Sequence, residues 1–199
     1  MIKSNQTVWS FIQQVAMMVN EIVSSNMFND NFWISILNWS MNYIYWYHKW
    51  SWNIYYEEVD VINYEAEVTY PIQEIIEVID DLWNLYIQWE YKPDTGVFVK
   101  KWNKLYFNND FVGNKITVAY RRWFIPYTVN DMSSTLDIPA QLEWPLASLM
   151  QFRITPIWLW EWSWGMMNNY LQIAINELNQ FRQIDTYEEA QRPLNPKRR

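Results

Sequence analysis

His48 is the only histidine of this 199-residue chain, and there is no cysteine. An imidazole base would therefore rest on one side chain, while thiol catalysis, disulfides and Cys-based zinc sites are excluded. His48 sits in Trp46-Tyr47-His48-Lys49-Trp50, at the end of an apolar-periodic segment and flanked by aromatics. That setting reads as a packed or capping histidine rather than the base of a triad. Two carboxylate groups, Glu57-Glu58-Asp60 and Asp80-Asp81, offer oxygen ligands for a divalent cation. Neither follows a calcium-loop pattern, and the glycine such a loop needs is missing, so both read as solvated acids. With only Gly96, Gly113 and Gly165 in the chain, no glycine-rich phosphate cradle, Walker loop or GxSxG elbow can form. The expectation is a protein without catalytic, cofactor or metal site.

Contact is better represented than chemistry. The chain holds 15 Trp, 14 Tyr and 9 Phe, residues that bury large areas at low entropic cost and dominate interfaces. One domain of this size cannot pack them all inside, so some are expected to face another protein. The densest run is Trp158-Leu159-Trp160-Glu161-Trp162-Ser163-Trp164. On a helix Trp158, Trp160, Trp162 and Trp164 scatter around the cylinder, which implies burial on every side, partly against another subunit. A stacking platform for carbohydrate or bases is the sharper alternative.

Charge is unevenly spread. Ten of the 22 acidic residues lie between Glu57 and Glu90, with no Lys or Arg between Lys49 and Lys92. Lys100, Lys101, Lys104, Lys115, Arg121 and Arg122 then make a basic segment. Such asymmetry suits head-to-tail association or a complementary partner, against the plainer reading of two solvated faces. The net charge of −7 argues against a general nucleic-acid binder. No secretory signal or membrane-length apolar stretch is visible, and the chain reads as soluble.

The elements expected to position these residues are two helices within 7–47, the first capped by Thr7, and helices again over 138–184 with a break near Arg153. Between them 52–125 is rich in β-branched and aromatic residues and turn signals, which predicts a small antiparallel β region. Within it, 105–107 and 115–120 are expected to be joined by an Asn/Asp/Gly turn. The fold class is therefore α+β: a helical bundle from both chain ends with an inserted small antiparallel β region. Residues 1–185 form one domain. Pro193 and Pro196 make 186–199 an extended arm.

The order of motifs resembles that of the head-to-tail adaptor proteins of short-tailed bacteriophages, the tail tubular protein A group. The residues that carry it are Val19-Asn20-Glu21, Leu37-Asn38-Trp39, the tryptophan-led strand Lys49-Trp50-Ser51-Trp52-Asn53-Ile54, Tyr70-Pro71, Glu77-Val78-Ile79-Asp80, Ile116-Thr117-Val118-Ala119-Tyr120-Arg121-Arg122 and Asp137-Ile138-Pro139. The likeness spans about 7–185. It departs from the pattern at 158–167, where alanine-rich helices are usual. The resemblance implies a connector domain in a virion, assembled in the host cytoplasm as a homo-oligomeric ring, commonly a dodecamer. Such a ring lies between the portal protein and the downstream tail or nozzle protein and passes DNA through its lumen at genome ejection. Contacts to portal or neighbouring subunit are then expected from Arg192, Lys197, Arg198 and Arg199 of the arm and from Trp158, Trp160, Trp162 and Trp164. The competing reading is a soluble aromatic-groove module that binds carbohydrate or a host protein.

Overall fold

The computed structural model describes residues 2–19, 29–90, 93–158 and 163–191. The chain divides into two compact units, Met1–Trp52 with Phe124–Arg199, and Asn53–Trp123. The first is helical. Thr7 accepts a hydrogen bond from the Ser10 amide and starts α1 (Val8–Met18), as its position predicts. Asn29 does the same for Phe32 at the head of α2 (Asp30–Tyr47). The predicted break near Arg153 is absent: α3 (Glu143–Trp158) runs through it, followed by α4 (Ser163–Gln191). Pro145 falls in the first turn of α3, where an amide has no helical partner to lose. Thr155 donates to the Gln151 carbonyl and stays within the helical turn.

Helix α3 packs on α2 and α4 and touches α1. Around it lie Phe11, Ile12, Trp33, Leu37, Met41, Ile44, Leu146, Met150, Leu178 and other buried side chains of one apolar core. Asn38 sits at the edge of this core. It donates to the Tyr127 carbonyl and accepts from the Tyr127 amide, both at 2.8 Å, and so clamps the returning chain as a strand would.

The second unit carries the correction to the expected architecture. The fold is α+β, but it is not a terminal helical bundle with a small antiparallel insert. Among the described residues seven strands form two sheets around a second, separate core. The strands are β1 (Ile54–Asp60), β2 (Glu65–Glu67), β3 (Ile72–Asp80), β4 (Ile87–Trp89), β5 (Val97–Lys101), β6 (Lys104–Phe107) and β7 (Lys115–Arg122). One sheet has the order β1-β7-β3, the other β2-β6-β5-β4. The β4–β5 pair is parallel, so the second sheet is mixed. Strands β6 and β7, expected to be joined as a hairpin, belong to different sheets. The loop between them exceeds the two to five residues of ordinary hairpins and lets the chain cross over. The tryptophan-led segment before β1 is also not a strand, since Ser51–Asn53 forms a single 3-10 turn.

Two further expectations change at the C-terminus. The arm was expected from residue 186, but α4 continues to Gln191, with Thr186 donating to the Arg182 carbonyl. Arg192, Lys197, Arg198 and Arg199 lie outside the described residues. So do Trp160 and Trp162, and the side chains of Trp158 and Trp164, whose backbones belong to α3 and α4.

Candidate interaction surface

The one place where serine, histidine and aspartate meet is the corner after α2. Asp185 of α4 is fully buried and accepts hydrogen bonds from the Ser51 amide at 2.9 Å and the Ser51 hydroxyl at 2.6 Å. His48 Nε2 lies 3.5 Å from Asp185 Oδ2, the oxygen that takes the Ser51 amide, and the imidazole stands edge-on to Trp50. A nucleophilic triad needs the hydroxyl bonded to the imidazole and open to substrate. Here Ser51 donates to the carboxylate instead, and it is 1% exposed. The arrangement ties the corner 48–51 to α4. Trp50 completes it, donating its indole N–H to the Ile44 carbonyl and packing on Phe181.

The carboxylate groups are separated by strand geometry. Successive residues of β1 face opposite ways, so Glu57 turns to Thr69 and the Tyr120 hydroxyl while Glu58 and Asp60 meet Lys115 on the other side. Burial and the Glu57 contact push the Tyr120 hydroxyl above its ordinary range. Asp80 takes hydrogen bonds from the Leu82 and Asn84 amides, the Asn84 side chain and the Tyr86 hydroxyl. Burial pushes the Asp80 carboxyl up, but these bonds outweigh it and hold the group below its ordinary value. Tyr86 is pushed up to about 12 by its burial and by the Asp80 charge. Among the described residues no three His, Cys, Asp or Glu side chains are grouped to hold a metal ion.

The charge asymmetry of the sequence largely cancels in three dimensions. Strand β7, which carries the end of the basic segment, lies between β1 and β3 of the acidic segment. Arg121 reaches Glu74 at 2.7 Å, Lys115 pairs with Glu58 and Asp60, and Lys104 with Glu65 and Glu67. Arg122 stacks between Tyr55 and Tyr70, 4.8 Å from each ring. Lys100 donates to the Ile72 and Gln73 carbonyls. Lys101 lies over the Tyr106 ring and meets no carboxylate among the described residues. Most of the charge that suggested head-to-tail pairing is thus spent within one chain.

The β unit also exposes a run of apolar side chains. Leu82, Trp83, Leu85, Ile87 and Trp89 are each more than half exposed, whereas Tyr86 between them packs against Phe107 and Phe111. The extended chain therefore turns Leu85, Ile87 and Trp89 outward together. Strand β4 is the edge of its sheet, and it is the least guarded edge. Glu65 and Glu67 mark the opposite edge, β2, and the outer strands of the other sheet carry Glu57, Glu58 and Asp60 or Glu74 and Glu77. Charged residues on edges are a common device against unwanted pairing, and β4 has none. Its end opens onto a surface depression of about 470 Å³ lined by Trp89, Pro93, Asp94, Thr95, Val97 and Asn108.

Three turn tips of the unit place aromatics in left-handed backbone: Tyr64, Trp83 and Trp102, with φ of 64°, 67° and 58°. Glycine or asparagine holds such positions at lower cost. None of these residues was singled out from sequence. The available signal was the alternation 83, 85, 87, 89, which ordinarily marks an inward face and here marks the outward one.

Among the described residues no helix is long and apolar enough to cross a membrane. No known protein family matches this chain, and no curated protein matches it either.

Proposed function

We propose that this chain is a structural virion protein, the subunit of an adaptor ring that joins portal to tail and passes DNA without reading it. The observation that carries the reading is the exposed apolar edge from Leu82 to Trp89, held in place by the Asp80 turn beneath it. Contiguous apolar surface on this scale marks contact with another macromolecule. The order of motifs along the chain supports the connector reading within that class. So do the net charge of −7, which disfavours a grip on phosphates, and the Ser51–His48–Asp185 geometry, which ties elements together rather than exposing a nucleophile.

The test is imaging and sedimentation of the purified protein, alone and mixed with portal assemblies. Rings, or density attached to portal, are expected. A monomer that ignores portal at micromolar concentrations would refute the reading. The second reading, a carbohydrate-binding module, is favoured by one feature: Trp89 stands beside Asp94, Thr95 and Asn108 in an open depression, an aromatic platform with polar groups at its rim. Calorimetric titration with oligosaccharides decides it, and saturable heat abolished by Trp89→Ala would favour that reading over the ring.

A further inference from the structure

The β5–β6 turn presents an exposed aromatic beside a lysine, and the Trp89 depression an aromatic wall beside a carboxylate. Trp102 and Asn103 form the two-residue turn between the paired Lys101 and Lys104. Trp102 occupies its first central position at φ 58°, where glycine is the usual residue, and its side chain is 69% exposed. A large aromatic is thus held in a strained backbone with its ring in solvent. The depression of about 470 Å³ is large enough for an indole, lying within the ~300–1,000 Å³ of clefts that hold small ligands. Its wall offers the Trp89 ring for stacking and the Asp94 carboxylate. Among the described residues, adjoining Asp110 accepts only from the neutral donors Thr95 and Asn108, and Asp94 only from the Thr95 amide. Lys101, beside Trp102, meets no carboxylate among the described residues.

The two features cannot meet within one molecule. Strand β5 begins at Val97, in the depression, and ends at Lys101, at the turn. At ~3.3 Å per residue a strand holds its ends well apart. We propose that Trp102 of one copy inserts into the Trp89 depression of the next, with Lys101 facing Asp94 and Asp110. Each copy carries one knob and one hole at different places, so the contact is heterologous and generates a ring where the rotation closes. The inference rests on the self-assembling reading above and names its contact.

Sedimentation velocity of the full chain and of Trp102→Gly tests it, alongside thermal melts. Glycine suits the turn, so at a dilution where both are monomeric the variant is expected to melt at or above the parent temperature. Its self-association is expected to weaken by about tenfold or more, the loss typical of a central aromatic anchor. Lys101→Asp and Asp94→Lys should each weaken association, and the double variant should recover part of it. If the parent chain assembles and Trp102→Gly assembles equally well, the contact is wrong while the ring reading stands on another surface. If Trp102→Gly melts well below the parent at a dilution where both are monomeric, Trp102 serves its own fold and the proposal fails. A parent that remains monomeric at millimolar concentration also overturns the contact, and docking to portal then judges the adaptor reading separately.

Discussion

Replacing Asp185 by alanine should be among the most damaging single changes in the helical unit. The side chain is fully buried and accepts from the amide and hydroxyl of Ser51, with His48 Nε2 at 3.5 Å. Both Ser51 donors are themselves in a buried residue, so water cannot take over the acceptor's role. A hydrogen bond to a carboxylate contributes about 1.5–3 kcal/mol, and orphaned buried donors keep their full desolvation cost. Two such bonds give an expected loss of about 3–6 kcal/mol. Domains of this kind hold about 5–15 kcal/mol in total, so Asp185→Ala should retain its fold with a narrow margin. Urea unfolding followed by the helical circular-dichroism signal reads the effect. With a slope of about 2 kcal/mol per molar, the midpoint should fall by about 1.5–3 M. Asp185→Asn keeps one acceptor oxygen and should fall between variant and parent. A midpoint shift under about 0.5 M for alanine would place this cluster with exposed ion pairs, worth about 0–1 kcal/mol. It would also refute the claim that it fastens the corner 48–51 to α4.

A truncation that ends at Asp185 should melt lower than one that ends at Gln191, because α4 runs to Gln191 and its last turns hold Asp185 in position; equal melting would deny that turn a structural part. A Cβ at Gly113 would stand 2.8 Å from Phe111 Cζ and from Asp81 Oδ1, with the Phe111 ring packed on Phe107 and Tyr86. Gly113→Ala should therefore cost about 1–3 kcal/mol, while Gly165→Ala, on α4 with nothing within 4 Å of the added carbon, should gain about 0.5–1 kcal/mol in the same melts. Because the folded Asp80 carboxyl lies below its ordinary value, its contribution is present above about pH 4 and is lost as pH falls through the folded value. The stability difference between parent and Asp80→Asn should shrink from neutral pH toward pH 2, and a difference that stays constant over that range would contradict the assignment.

Local rules written in the sequence determined much of the helical unit. Thr7 capped α1 because its hydroxyl is spaced to meet the Ser10 amide, and the apolar period from Trp33 to Ile44 became the buried side of α2. The β-branched and aromatic middle formed strands near the predicted places, because a pleated half-buried surface accepts those residues. Which strands paired was not legible. Pairing depends on contacts between residues distant in sequence, so β7 lies between β1 and β3, and β6 joins a different sheet across the 108–114 loop. That topology brought Arg121 to Glu74 and Lys115 to Glu58, and so neutralised a charge asymmetry that looked like a surface property in one dimension. Asp185 gave no local sign of importance, since only the return of α4 sets it beside Ser51. The alternation of Trp83, Leu85, Ile87 and Trp89 was plain in the sequence, but period 2 does not say which face meets the core. Tertiary structure decided it by turning Tyr86 onto Phe107 and Phe111, which left the apolar side chains of β4 facing outward.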